Sequence, residues 1–319
     1  MTDPNVTALV AEETHQVPPG GAPAPRGSRS IWAEALHTLS RRPTVILASL
    51  VALFFLVVVV LPGAFTSTDP QRCDISQSKI HPQWFGHPHP FGTDVHGCDV
   101  YSQLVHGARP SLVLALLVVA VSVVIGMVLG LLSGYYVGWV DAVVSRVIEV
   151  FLVIPLLLAA LLVLSLFKGI DTGNGTFGSI VQPAIVLTAF AWMGYARYVR
   201  ASVLETKNLD YVTAARVLGA SDLRIMVRHI LPNAIGTVTA LVPTAIAGII
   251  STEAVLAFLG VGVQPPAISW GIMISNGAPW FLGGAKYLLL FPLGCLVATV
   301  LSFVVIGDNL RDALDPKLR

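Results

Sequence analysis

The residues best suited to chemistry are cysteines and histidines that share one polar stretch, residues 62–109. They are Cys73, Cys98, His81, His87, His89, His96 and His106. Imidazole and thiolate groups are common ligands of zinc, copper and nickel. However, His87-Pro-His89 lacks a recognised zinc spacing, and the prolines at positions 82, 88 and 90 indicate an irregular loop with solvated histidines. We therefore predict no metal site.

Nucleotide chemistry is not encoded in this chain either. It contains no G-x-x-x-x-G-K-[ST] sequence, the loop whose backbone amides hold nucleotide phosphates. We predict that the chain does not hydrolyse ATP itself, that it has no catalytic residue, and that it binds no cofactor of its own.

Most of the sequence is apolar enough to lie in a membrane. Hydrophobic residues make up 55% of the 319 residues and charged residues 12%, against roughly 25% charged in soluble domains. A spanning helix needs roughly 17 to 25 mostly apolar residues. Six segments without Lys, Arg, Asp or Glu meet this requirement: Val45–Leu61, Leu112–Leu132, Val150–Phe167, Ile180–Ala196, Ala234–Ile250 and Leu288–Ile306. We predict an all-α polytopic membrane protein with six transmembrane helices.

The distribution of Lys and Arg predicts the orientation. These residues accumulate in short loops on the cytoplasmic side. With the N-terminus inside, fourteen of the 19 lie on the inner side. We therefore predict a multi-pass protein of a prokaryotic plasma membrane with both termini in the cytoplasm. Residues 1–30 would be a disordered tail, 31–319 the transmembrane domain, 62–109 an outer segment and 197–233 a cytoplasmic loop.

This orientation places Cys73 and Cys98 outside the cell membrane, where disulfides persist. We expect them to form a disulfide, which would contribute roughly 3.5 kcal/mol in the chain-entropy model. Two free thiols are the alternative. Cys295 falls inside the sixth span and is expected to be a small buried apolar residue.

The cytoplasmic segment Asp210–Asn233, called the loop segment below, is predicted to form two short amphipathic helices. Apolar residues at i, i+3, i+4, i+7 mark one face of each, at Tyr211, Ala214, Ala215, Leu218 and at Leu223, Met226, Val227, Ile230. Gly219 would end the first helix, and Ser221 and Asp222 would begin the second. Pro232 would end the second helix.

Three interpretations of the loop segment compete. It could be a solvated loop lying on the membrane surface. A helix-turn-helix that reads DNA is disfavoured because both ends are tethered to spans, and we predict no nucleic-acid partner. It could instead dock a cytoplasmic partner, with close approach at Ala214, Ala215, Gly219 and Ala220 and directional contacts from Arg216, Arg224 and Arg228.

The loop segment resembles the EAA loop of ABC importer permeases, which reads E-A-A, three residues, G, nine residues, then I-x-L-P. The chain has Thr213-Ala214-Ala215, then Gly219, and it closes with Ile230-Leu231-Pro232. Thr213 replaces the usual Glu and His229 the usual Ile. In that family this helix inserts into a groove on an ATPase subunit. The resemblance implies a coupling role for Thr213, Ala214, Ala215, Arg216, Leu218, Gly219, Ala220, Ser221, Asp222, Leu231 and Pro232.

Three further blocks resemble the C-type permeases of dipeptide and oligopeptide importers. FGTDVHGCDVYSQLVHGARPSL (Phe91–Leu112) is similar to their GTD-x-x-GRD-x-x-SR-x-x-x-GAR-x-SL block. STEAVLAFLGVGVQPPAISWG (Ser251–Gly271) resembles TEA-x-L-x-FLG-x-GVQPP-x-x-SWG, and GDNLRDALDPKLR (Gly307–Arg319) resembles GD-x-LRDALDPRLR. Cys98 stands where the first block has Arg. The resemblance implies the type I ABC importer permease fold.

The resemblance implies one half of a peptide import channel within the lipid bilayer. Its partners would be a second homologous permease of the DppB/OppB type, two ATPase subunits that bind ATP-Mg, and an extracytoplasmic peptide-binding receptor. Similar permeases that carry nickel, glutathione or haem are an alternative. An ion-coupled carrier is disfavoured by the neutral spans, which predict a neutral translocation path. A membrane scaffold remains a further alternative.

The outer side is expected to receive that receptor and shape an outer gate, although a cap that only shields the spans is the alternative. The candidate residues are Asp94, Asp99, Arg109, Glu253, Gln264 and Trp270. Glu253 lies just past the fifth predicted span. It could be a gating residue or simply a hydrated charge at the interface.

Overall fold

The computed structural model describes residues 37–83, 87–167 and 175–314, so the predicted tail over residues 1–30 lies outside the described residues. The all-α class is confirmed: the described parts contain helices, irregular segments and two isolated β-bridges. The helices are α1 (Pro43–Val60), α2 (Val100–Tyr135), α3 (Trp139–Val153), α4 (Leu156–Leu166), α5 (Gly175–Thr206), α6 (Asp210–Val217), α7 (Asp222–Phe258), α8 (Trp270–Gly277) and α9 (Tyr287–Leu314).

Within the described ranges, five helices are long and apolar enough to cross a membrane, namely α1, α2, α5, α7 and α9. The count reaches the predicted six when α3 and α4 are taken together as one span. Several helices extend beyond the apolar segments that mark them in the sequence. The α2 helix, for example, has 36 residues and reaches about 54 Å at 1.5 Å per residue, so its ends project past a hydrocarbon core of roughly 30 Å.

The predicted third span, Val150–Phe167, is not one straight helix. The α3 and α4 helices meet at an angle of 83°. Ile154 and Pro155 between them have extended backbone angles, because the proline ring disfavours a helical conformation in the residue before it. Pro183, Pro243 and Pro292 instead lie inside continuous helices.

The α2 and α5 helices cross along a stripe of small residues. A Cβ atom added to Gly130 would lie 2.5 Å from the Ala196 carbonyl oxygen and 2.7 Å from the Cβ of Val199. Gly126 and Gly134, one turn away on either side, are equally close to α5. Glycines spaced four residues apart allow helix backbones in a membrane to approach closely. This crossing forms the centre of the structure.

The outer segment folds against the outer ends of α2 and α9. Asp99 caps α2 by accepting a hydrogen bond from the Ser102 amide at 2.8 Å. The irregular part of the outer segment therefore ends at Asp99, and residues 100–109 of the predicted outer segment form the first turns of α2. The Tyr287 hydroxyl, at the start of α9, hydrogen-bonds the carbonyl oxygens of Ile80 at 3.0 Å and Thr93 at 2.7 Å.

Candidate functional site

The loop segment folds into two helical pieces joined at a glycine. The α6 helix ends at Val217, and Gly219 follows with φ +81°, a left-handed conformation that glycine adopts without strain. The Ala220 amide donates to the Ala215 carbonyl at 3.1 Å and closes the helix end. Ser221 occupies the N-cap position of α7 as predicted, but its side chain makes no capping hydrogen bond.

The second piece does not end at Pro232 as predicted. Met226–Ile230 forms a π-helical turn, and the chain continues without a break from Asp222 to Phe258. Leu231 and Pro232 occupy the start of the regular α-helix that follows, where the missing proline N–H costs least. The second piece of the loop segment and the fifth span are therefore one helix of 37 residues, Asp222–Phe258.

Burial separates an anchoring face of the loop segment from an exposed face. Val212, Ile225 and Ile230 are fully buried against the rest of the chain. In contrast, Val217, Leu218 and Leu223 are 83%, 87% and 68% exposed, and we call these three side chains the exposed patch. The predicted apolar stripe through Tyr211 and Leu218 is therefore not the face that packs on this chain. Tyr211 and Leu218 are instead exposed.

The small and charged residues of the loop segment surround the exposed patch. Thr213, Ala214, Arg216, Gly219, Ser221, Asp222, Arg224 and Arg228 are exposed, and Ala215 and Ala220 are half-buried. Asp222 accepts a hydrogen bond of 2.6 Å from the Tyr135 hydroxyl at the end of α2. Asn233 donates to the Tyr211 hydroxyl at 2.9 Å. The first contact holds the loop segment against the inner end of α2, and the second joins α6 to α7 within the loop segment.

Two predicted outer carboxylates organise the local fold. Asp94 accepts hydrogen bonds from the His96 and Cys98 amides at 2.8 and 2.9 Å and from the Gln103 side chain at 2.9 Å. The capping residue Asp99 is buried and its other oxygen lies 3.1 Å from a ring nitrogen of His89. These bonds tie both carboxylates into the fold of the outer segment, with Asp99 buried and Asp94 half-buried.

The other predicted outer residues differ in exposure. Arg109 is exposed, whereas Gln264 is half-buried and donates to the Gly262 carbonyl at 2.8 Å. Trp270 is fully buried, and its indole N–H donates to the Leu104 carbonyl at 2.9 Å. It is therefore not exposed on the outer surface in this conformation, and its role in the outer segment stays a prediction. That prediction came from its place in the block Ser251–Gly271.

Glu253 also departs from expectation. It lies within α7, which continues past it to Phe258, and its side chain is fully buried. The interpretation as a hydrated interfacial charge is therefore wrong. The apolar segment Ala234–Ile250 ends before Glu253, but the helix does not.

Cys73 and Cys98 are joined by a disulfide in the structure, across 25 positions of sequence. The bond connects the first part of the outer segment to the turn just before α2. Nearby, two hydrogen bonds from Ser76 hold the pKa of the exposed Asp74 carboxyl below its usual value. Within the described residues, no three His, Cys, Asp or Glu side chains are arranged to hold a metal ion.

Two further features were missed by sequence reasoning. A groove of about 370 Å³ opens between α2, α5 and α7 at the depth of the membrane, with Gly194, Tyr198, Thr244, Gly248 and Thr252 among its lining residues. At the inner side, Arg200 makes two hydrogen bonds of 2.6 and 2.7 Å to Asp141. The glycines spaced four residues apart in α2 could have predicted a close helix crossing. No feature of the sequence predicts that Arg200 pairs with Asp141.

Comparison with known proteins gives a consistent result. Residues 126–319 match the family model described as binding-protein-dependent transport system inner membrane component. The dipeptide transport system permease protein DppC of Bacillus subtilis is 36% identical over 92% of this chain and 88% of that protein. The oligopeptide transport system permease protein OppC of Bacillus subtilis is 33% identical over 92% of each chain. DppC of Escherichia coli is 44% identical over 72% of this chain and 74% of its own length.

A solved structure, described as inward-facing conformations of the MetNI methionine ABC transporter, shares the fold. It aligns with a TM-score of 0.51 and 21% identity over 67% of this chain and 96% of that chain. The resemblance drawn from the loop segment and the three sequence blocks is thus confirmed. The chain belongs to the family of binding-protein-dependent transport system inner membrane components, and it is a multi-pass plasma-membrane permease with the type I ABC importer permease fold.

Proposed function

We propose that this chain forms one half of the transmembrane channel of an ATP-driven importer of di- and oligopeptides. The peptide substrate is supported by the names of its relatives, which are dipeptide and oligopeptide transport permeases. The observation that carries the channel role is the exposed patch on the loop segment, which is apolar, faces away from the chain, and lies at the junction between α6 and the helix that becomes the fifth span.

Within this proposal the chain is not catalytic. Two ATPase subunits bind and hydrolyse ATP-Mg, and a second homologous permease supplies the other half of the channel. An extracytoplasmic receptor delivers the peptide at the outer side. ATP binding closes the ATPases, which push on the loop segment and turn the cavity outward, and hydrolysis resets it. The groove between α2, α5 and α7 supplies a neutral lining of small and hydroxyl side chains for the path.

Gly219→Arg provides the decisive experiment. No atom lies within 4 Å of a Cβ added at Gly219, so the substitution leaves the core intact and adds a bulky cation beside the exposed patch. Its φ of +81° adds strain of roughly 1–2 kcal/mol. Gly284→Arg is the matched control, because Gly284 has φ +94° and equally open surroundings on the outer side.

We expect the G219R chain to insert and to purify with the second permease but without the ATPases, and peptide uptake to be lost. The G284R chain should retain the ATPases. For both variants, mass spectrometry of the gently solubilised complex identifies the subunits that purify with the chain. ATPase recovery and peptide uptake at wild-type levels in G219R would remove the proposed coupling role.

A further inference from the structure

The fully buried Glu253 side chain lies one turn before the outer end of α7. Its Oε1 accepts a hydrogen bond of 2.8 Å from the Ser269 hydroxyl. Its Oε2 has no hydrogen-bond partner among the residues that the structure describes. Native interiors pair nearly all buried polar atoms, so an unpaired buried carboxyl oxygen requires an explanation other than packing.

The surroundings of Glu253 do not compensate a negative charge. In the part of the chain that the structure describes, no Lys, Arg or His side chain forms an ion pair with it. Its one partner is a neutral hydroxyl. Burying an ionised carboxylate without a cation costs several kcal/mol, whereas the protonated acid avoids most of this cost. The geometry therefore favours a neutral carboxylic acid.

Ser269 links Glu253 to a junction of three helices. The Ser269 hydroxyl also accepts from the Ile272 amide at 3.3 Å and so caps α8. The next residue, Trp270, donates its amide to Ser111 at 3.3 Å and its indole to Leu104, both on α2. The Glu253–Ser269 hydrogen bond therefore joins α7 to a short helix that is itself fastened to α2.

The crossing of α7 and α8 is too close to admit another side chain. A Cβ added to Gly271 would lie 2.7 Å from the Cβ of Ala257 and 2.9 Å from the Cα of Ala254. Glu253, on the same part of α7, is fully buried. The close contact also means that α8 moves with the outer end of α7 as long as the hydrogen bond holds.

The same helix reaches the inner side. At 1.5 Å per residue the 37 residues of α7 span about 55 Å, from the loop segment to the turn beyond Glu253. A displacement applied at Asp222 therefore arrives at Glu253 through one helix with no intervening loop. Gln71 hydrogen-bonds the Pro266 carbonyl at 2.7 Å, which connects the residues between α7 and α8 to the outer segment.

We propose that Glu253, as a neutral carboxylic acid, is a positioning residue that fastens α8 to the outer end of α7 and so transmits movement of the loop segment to the outer gate. The transport readout of this proposal rests on the proposed import function. The protonation readout does not, because it uses the permease alone.

The variants are Glu253→Gln, Glu253→Ala and Ser269→Ala. Gln has the shape of the neutral acid and keeps an acceptor for Ser269. Ser251→Ala is the matched control: Ser251 is on the same turn of α7, and its hydroxyl bonds only to the Ala247 carbonyl of its own helix. The assays are receptor-stimulated ATP hydrolysis and peptide uptake by the reconstituted complex, together with recovery of all subunits.

We expect E253Q and S251A to behave as wild type. In E253A and S269A, uptake per ATP hydrolysed should fall about tenfold, the factor that corresponds to ~1.4 kcal/mol for a lost buried hydrogen bond, while subunit recovery is unchanged. An inactive E253Q complex would overturn the proposal, since it would mean that the ionised form is required. Wild-type coupling in both E253A and S269A would overturn it as well.

Infrared difference spectroscopy of the solubilised permease tests the protonation state directly. The wild-type minus E253Q spectrum should contain the carbonyl stretch of a protonated carboxyl group at neutral pH. A spectrum with only carboxylate bands would overturn the neutral assignment. If the complex transports no peptide at all, the proposed function fails, while this spectrum still decides the state of Glu253.

Discussion

Neighbouring side chains of the loop segment differ in whether they pack on this chain or are exposed. Val212 and Leu218 lie in the same short stretch and are both aliphatic, yet one is fully buried and the other is 87% exposed. Burying an aliphatic side chain contributes roughly 1.5–3 kcal/mol, so Val212 holds the segment in place. Leu218 contributes almost nothing within this chain, and its apolar surface is available for binding.

Replacing both exposed leucines, Leu218→Ser with Leu223→Ser, should weaken ATPase binding without affecting the permease. Exposed positions of this kind change stability by about 0.5 kcal/mol or less. Val212→Ala should have the opposite effect. Because Val212 is buried, the free energy of unfolding should fall by about 2 kcal/mol, while the folded permease still binds the ATPases. Thermal unfolding of the solubilised permease and ATPase pull-down separate the two effects. A stable double-serine variant that binds the ATPases normally would contradict the role of the exposed patch.

The disulfide can be tested by substitution as well. Cys98 is buried, with 5% of its surface exposed. Cys98→Ser replaces the sulfur with oxygen, so it changes the side-chain volume little and removes the bond to Cys73. We expect the free energy of unfolding of the outer segment to fall by roughly 3.5 kcal/mol. Adding reductant to the wild type should lower it by a similar amount. Non-reducing and reducing peptide maps identify the bond. Identical maps would show two free thiols, and Cys295→Ser serves as the control.

At the scale of elements, the α2 and α5 crossing sets the positions of the other helices. Its three glycines meet backbone or Cβ atoms of α5, and such atoms cannot rotate away as a flexible side chain could. The end of α2 carries Tyr135, which hydrogen-bonds the start of α7. The crossing therefore fixes the loop segment as well as the membrane core.

Gly130→Leu should separate α2 from α5. The added side chain meets backbone at 2.5 Å, so we expect destabilisation of about 3 kcal/mol or more. Gly294→Leu is the control, because this exposed glycine of α9 has nothing within 4 Å of its Cβ position. Thermal unfolding of the two solubilised variants gives the comparison. Equal unfolding temperatures would mean that the crossing is not the tight contact described.

The sequence predicted the helical elements better than their joints. Apolar runs and the glycine at position 219 indicated helices and a break because these signals are local. The 83° bend at Pro155 and the continuity of α7 through Pro232 were not predictable, since a proline is compatible with either outcome and tertiary packing decides. The burial of Glu253 was missed because Ser269 and α8 enclose it from outside its own helix.

At the scale of the whole molecule, the orientation follows from the charges and can be tested with two exposed leucines. Leu218 is 87% exposed on the loop segment, and Leu282 is 94% exposed between α8 and α9. In a Cys295→Ser background, Leu282→Cys should react with a membrane-impermeant maleimide in intact cells. Leu218→Cys, in the permease expressed without the ATPases, should react only after permeabilisation. Labelling in the opposite pattern would reverse the assigned orientation.

The disulfide also has a consequence for the biogenesis of the protein. Both cysteines lie on the outer segment between α1 and α2, so the bond forms only after this segment has been exported to an oxidising compartment. The outer segment then matures after insertion of its flanking helices, and it depends on the thiol-oxidising capacity outside the membrane. A host that lacks this capacity would insert the spans and leave Cys73 and Cys98 as thiols beside a complete membrane core.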